Sequence, residues 1–275
     1  MQSLNVTTLR TLSLLALVAC GGAEQPPAAI RIDGSPGVRP LVAALADEYT
    51  RATGVPFLVG SGMGSSERAA AVADSVIDIA MASHGIDSAE MARRGLTVHE
   101  IARTAVVFAV NADVDVANVT RADVCDVLAG RIDNWNRLRG TSAPIAAFTR
   151  PPTEVDAEIA RQHVECLRSL APGPRVRVID RPDSMAAALA RTPGAFGVTS
   201  QVLVQGSGGR IRALQLDGVS PTAENIRSGA YPLLRSFFLV TRSRGAPHID
   251  RFLAFLRDSA AQRVIMANGA VPALH

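Results

Sequence analysis

The chain contains no lysine: all 28 of its basic residues are arginines. Set against 25 acids they leave a formal charge of only +3, and no basic cluster accompanies it, which argues against nucleic acid as the main partner. Aromatic residues make up only 4%, so aliphatic and alanine-rich packing must build the core, and an apolar content of 48% is ample for it. Metal spacing is absent apart from His163–Val–Glu–Cys166, which has no further ligands and reads as structural, so no metal or cofactor is expected. The sequence also lacks Gly–Lys–Ser/Thr after a glycine loop and lacks a full G-x-G-x-x-G, which leaves nucleotide binding unsupported. It lacks G-x-S-x-G as well. His84 follows Ser83, but no nucleophile elbow or evident acid accompanies them, and the chain is read as a non-enzyme.

What is present begins with a leader. Met1 to Ala19 holds one charge, Arg10, and an apolar run from Thr11 to Ala19 that is too short to span a bilayer. It closes on Leu17–Val–Ala–Cys20–Gly21, which resembles the bacterial lipobox. The resemblance implies cleavage before Cys20 and a lipid on its sulfur. Residues 1–19 are thus expected as a signal peptide and residues 20–29 as a Gly/Pro/Ala-rich tether. The expected location is the outer face of a bacterial membrane, periplasmic or cell-surface, with the lipid as the only membrane contact. Cys125 and Cys166 remain. They either pair, which chain-entropy reasoning values at roughly 3–4 kcal/mol, or stay as buried thiols.

The 275 residues allow one large domain or two moderate ones. Three strand–loop–helix units open the chain and predict an α/β fold with a parallel sheet. Ile30 to Asp33 is a strand followed by the turn Gly34–Gly37, and a helical stripe from Val38 to Thr50 stops at Gly54. Val55 to Val59 and Ile77 to Ala82 are the next strands, separated by the glycine-rich loop Gly60–Ser66 and a helix over Glu67 to Asp74. Serines recur at the three strand ends: Ser35, then Ser61 to Ser66, then Ser83. Ligands bind at the carboxyl edge of such sheets, although any one serine also serves as an N-cap. Further along, Thr104 to Val110 is a strand and Arg121 to Leu128 a helix capped by Thr120. Ile145 to Phe148 is a buried strand ended by Pro151 and Pro152, with a helix from about Glu154 to about Leu170 and Arg150 at the junction. Strands over Arg175 to Ile179, Gly194 to Ser200, Ile211 to Leu216 and Ser236 to Thr241 follow. Ser184 is expected to cap a helix to Arg191, and one helix from His248 to Met266 closes the chain.

The wording of these segments is similar to the phosphate-binding proteins of bacterial ABC importers, within the type II periplasmic binding protein fold. The resemblance is carried by Gly34–Ser–Pro–Gly–Val–Arg–Pro–Leu41, Gly60–Ser–Gly–Met–Gly64 and Asp78–Ile–Ala–Met–Ala–Ser83. It is also carried by Val127–Leu–Ala–Gly–Arg–Ile–Asp–Asn–Trp135, Gly194–Ala–Phe–Gly–Val198, Tyr231–Pro232–Leu233 and Gln262 to Pro272. It implies two lobes, each a mainly parallel sheet flanked by helices, joined by crossing strands near Arg103 to Val110 and Tyr231 to Val240. Residues 30–105 plus 237–275 would form lobe I and residues 106–236 lobe II, with a solute held in the cleft between them.

In that family neutral donors and one arginine hold an oxyanion without a metal. The resemblance implies Ser35, Gly37, Val38, Ser83 and Arg150 as binding residues here. In the second loop, motif wording points to Ser61 and spacing to Ser65. It further implies a phosphate-like ligand, an ABC permease as partner and a monomer. Two departures stand out. The first turn has Gly37 where the family has threonine. The family's Ser–Gly–Thr after the arginine falls on Glu154–Val155–Asp156, so two carboxylates replace two donors. Either they face the cleft and repel a dianion, or they point to solvent and favour the helix start. The first alternative implies the same fold with a repurposed cleft, for another solute, a sensor role or a protein partner.

Overall fold

The computed structural model describes residues 28–83 and 86–273, with the side chains of Ser65 and Ser66 outside that description. The expected signal peptide, Cys20, most of the tether and His84 therefore lie outside the described residues. The chain opens with β1 (Ile30–Gly34), α1 (Arg39–Thr53), β2 (Phe57–Val59), α2 (Ser65–Ala73), β3 (Ile79–Ala82) and α3 (Ser88–Arg93). The long strand β4 (Leu96–Asn111) leads to β5 (Asn118–Val119), α4 (Arg121–Leu128), β6 (Ala146–Thr149), α5 (Val155–His163), β7 (Arg177–Val178) and α6 (Pro182–Arg191). Then come β8 (Ala195–Ser200), α7 (Gln201–Gln205), β9 (Ile211–Ala213), β10 (Gln215–Leu216) and α8 (Ala223–Ser228). Strand β11 (Leu234–Arg242) returns, and α9 (Pro247–Phe255), α10 (Ser259–Ala267) and β12 (Ala270–Pro272) finish the chain.

The three opening units form the expected parallel sheet, with β1 between β2 and β3. Strand β11 lies antiparallel to both β3 and β4, and β4 continues antiparallel to β8, which pairs in parallel with β6. One strand thus serves two neighbours. Residues Leu96 to Ala105 of β4 face β11, and Val106 to Val110 face β8. The expected crossings, Arg103 to Val110 and Tyr231 to Val240, overlap this antiparallel pair only in part, because Val106 to Val110 already face β8 and Tyr231 to Leu233 precede β11. Separate cores fill on either side of it. One gathers Ile30, Leu41, Leu45, Ile79, Phe237 and Phe252, with a smaller cluster around Val72 and Met91. The other gathers Phe108, Trp135, Phe148, Met185, Phe196 and Tyr231.

Local sequence explains most of the ends. The stripe Leu41, Val42, Leu45, Ala46 and Tyr49 is the buried face of α1, and Gly54 closes that helix in the left-handed conformation. Thr120 and Asp123 complete a capping box on α4. Trp135 is buried and its indole N–H donates to the Gly194 carbonyl at 3.0 Å, so the Asn–Trp turn pins the start of β8. Cys125 and Cys166 are joined in a disulfide with Cα atoms 6.2 Å apart, which ties α4 to the 3-10 turn Glu165–Arg168.

Several expected boundaries move. The helix expected to reach Leu170 stops at His163, where Val164 turns extended and a 3-10 turn follows. Helix α6 starts at Pro182 with Arg181 as N-cap, not at Ser184, because proline at the first position is pre-set for the helix. The single closing helix is two, interrupted before Asp258, which caps α10 in an extended conformation. The strand expected over Ile211 to Leu216 is also two, because β9 pairs with β4 while β10 pairs with β5.

Candidate functional site

A cavity of about 290 Å³ opens at the carboxyl ends of β1 and β3. Ser35, Gly62, Met63, Gly64, Arg68 and Ser83 wall it on one side, Glu154, Val155, Asp180, Arg181 and Pro182 on the other, and Arg235 of β11 reaches it as well. Three helices begin at this wall. The N-cap residues of α2, α5 and α6 are Gly64, Glu154 and Arg181; all three line the cavity and none makes a side-chain capping bond. The N–H groups of a first helical turn have no partner inside the helix, and the dipole there is positive. Three positive helix ends around one space suit an anion.

The hydroxyls arrive through strand pairing. Gly34 of β1 pairs with Met81 of β3, and the Ser35 amide donates to the Met81 carbonyl at 2.9 Å. This brings Ser35 Oγ to 3.3 Å from Ser83 Oγ, across 48 positions of sequence. The glycine-rich loop is anchored by Asp33, whose Oδ1 accepts from the Gly62 amide at 3.0 Å and the Gly34 amide at 2.7 Å. A Cβ at Gly60 would lie 2.1 Å from the same carboxylate, so only glycine lets the loop close over Asp33.

The two carboxylates that replace donors are each matched to an arginine. Arg150 Nη2 donates to Glu154 Oε2 at 2.6 Å, with the Arg150 side chain about 1% exposed and Glu154 at 36%. Asp156 pairs with Arg235, both side chains about 1% exposed. So Asp156 faces neither solvent nor the cavity; it turns inward against the crossing strand. Arg235 also stands over the Phe237 ring at 5.0 Å, and its Nε and Nη2 have no hydrogen-bond partner among the described residues. A Cβ at Gly37 would meet that Nη2 at 2.8 Å, so the missing side chain makes room for the guanidinium. Burial pushes the Arg68 guanidinium below its usual value, and a hydrogen bond from Arg181 holds the Asp183 carboxyl below its own.

Of the residues expected from sequence, Ser35 and Ser83 meet at the cavity. Gly37 packs beneath Arg235 rather than on the wall. Val38 is fully buried in the core and its amide donates to the Ser35 carbonyl at 3.1 Å, so it offers no donor to a ligand. Ser61 is exposed and off the wall, while Ser65 is the first residue of α2, beside the Gly64 cap. Arg150 touches the cavity only through Glu154 and lines a different one. Sequence reasoning missed Arg68, Arg181 and Arg235. For Arg235 a signal existed: an arginine just inside a β-branched and aromatic crossing strand has no apolar reason to be there.

A family model described as a PBP superfamily domain matches residues 21–259. Over 258 residues the chain is 24% identical to the phosphate-binding protein PstS of Bacillus subtilis, covering 91% of this chain and 83% of the relative. An ABC-type phosphate transport receptor from Vibrio cholerae is 26% identical, with a TM-score of 0.59 over 88% of this chain and 99% of that one. A substrate-binding protein from Clostridium perfringens, solved with bound phosphate, shares the fold at a TM-score of 0.71 and 22% identity, over 89% of this chain and 99% of that one.

Proposed function

The chain belongs to the PBP superfamily, and from that premise we propose that it is an extracytoplasmic solute-binding protein that captures phosphate or a related oxyanion for an ABC importer. Ligand would enter the cavity between Ser35, Ser83 and the starts of α2, α5 and α6. The observation that carries this reading is the meeting of three helix starts without side-chain caps at one space that also holds two hydroxyls. Because Glu154 and Asp156 offset the charge of Arg150 and Arg235, neutral donors would supply much of the recognition. The names of the Bacillus and Vibrio relatives support phosphate. Residues 30–105 with 237–275 and residues 106–236 are proposed as the two lobes, closing on the solute by hinge bending. A lipid on Cys20 would hold the mature monomer at the membrane, and among the described residues no helix is long and apolar enough to cross one.

Calorimetry on protein stripped of ligand tests the reading. Phosphate should bind with micromolar or tighter affinity, and an absence of heat would sink it. The buried Arg235–Asp156 pair favours one alternative, a repurposed cleft that takes a different solute or partner. On that reading native protein ignores phosphate, and restoring Ser–Gly–Thr at residues 154–156 creates binding. Equal affinity in native and restored proteins would remove the alternative's basis.

A further inference from the structure

A second cavity, of about 280 Å³, shares no lining residue with the first. Its wall is apolar where Phe108, Leu128, Ala160, Leu167 and Val198 meet, and Val178, which is 56% exposed, stands at its rim. Among the described residues no acidic one lines it. Into this wall comes Arg150, 3% exposed, with one nitrogen on Glu154 and with Nε and Nη1 lacking any hydrogen-bond partner among the described residues. A guanidinium surrounded by hydrocarbon is strongly disfavoured unless its N–H groups are satisfied. The other basic residue of the wall, Arg161, already gives its Nη2 to the Arg168 carbonyl.

We propose that this cavity is a second binding site, for a small monocarboxylate with an apolar body. The carboxylate would accept charge-assisted hydrogen bonds from Arg150, and the hydrocarbon would replace water along the apolar walls. Phosphate is the wrong shape of anion for it. Its four oxygens all need donors, and one side chain in an apolar wall cannot serve them. The site stands apart from the oxyanion reading and does not depend on it, although Glu154 borders the first cavity while holding Arg150 of the second.

Titration of the full chain with hexanoate, against acetate and hexanol as comparators, tests the proposal by calorimetry and saturation-transfer NMR. Hexanoate should bind at least ten-fold tighter than acetate, which lacks the apolar body, and ten-fold tighter than hexanol, which lacks the charge. The affinity should not change in saturating phosphate. Val178→Trp, at the exposed rim, should weaken hexanoate ten-fold and leave phosphate binding and the thermal midpoint unchanged. Arg150→Met should abolish the preference for hexanoate over hexanol. Equal binding of hexanoate and acetate, displacement of hexanoate by phosphate, or indifference to Val178→Trp would each overturn the site.

Discussion

At the scale of the residue, the acids after Arg150 govern the character of the cavity. Glu154 and Asp156 stand two positions apart at the start of one helix, yet they serve arginines from different elements. Glu154 is half in water and pairs with its own neighbour four residues back, so its contribution is that of a partly screened ion pair. Asp156 is fully buried against Arg235, 79 positions away. Removing one member of such a pair leaves the other charged without compensation. Asp156→Asn should therefore destabilise the protein by about 3–5 kcal/mol, whereas Asp156→Leu combined with Arg235→Met should recover most of that loss. Urea unfolding of the three proteins checks this, and a cost below about 1 kcal/mol for Asp156→Asn would contradict the buried-pair account. The same substitution exposes how closely site and stability are joined, because Arg235 lines the cavity while it answers Asp156.

At the scale of the element, β4 and β11 hold the molecule together. Their pairing runs from Leu96 to Ala105 with one irregularity between Phe237 and Phe238. His99 of β4 reaches across it, with Nε2 at 3.0 Å from Thr241 Oγ1. Burial keeps the His99 imidazole below its ordinary value, the Arg257 charge adds to this, and Asp250 opposes it. An unfolded histidine titrates near about pH 6.5. Below that pH the unfolded chain takes up a proton that the folded chain resists, so the contribution of His99 is complete above it and declines as the pH falls. Stability measured by urea unfolding should drop between pH 7 and pH 5, and His99→Gln should flatten that part of the profile. An unchanged slope in the variant would assign the pH dependence to other groups. The helices obey the same local logic: α1, α4 and α6 begin or end where glycine, a capping box or proline directs, while α2, α5 and α6 all start at the cavity without a side-chain cap.

At the scale of the whole molecule, cores lie on either side of the crossing pair, and a ligand in the proposed cavity would touch residues from both sides. Binding to the folded state alone adds RT ln(1 + [L]/Kd) to stability, about 2.7 kcal/mol at one hundred times Kd. Phosphate at that excess should raise the thermal midpoint by several degrees, and the rise should depend on ligand concentration as the equation requires. A midpoint indifferent to phosphate would speak for the repurposed cleft.

Most of the longer strands and helices, the parallel opening sheet and the gathering of serines at its strand ends were legible in the sequence, whereas short elements such as α3, β5, α7, α8 and β12 were not. Apolar periodicity, glycine stops and strand-end serines are local signals, and the right-handed crossover rule converts them into one arrangement. The partners of the charged residues were not legible. A strand end and a helix start look alike whether the arginine between them turns toward a ligand or toward hydrocarbon. Which carboxylate answers Arg150, which answers Arg235, and which cavity each guanidinium enters depend on packing between segments scores of residues apart. Local sequence determined where donors gather; only the tertiary structure decided which of them are already engaged, because ion pairing is a property of distance in space and not of spacing along the chain.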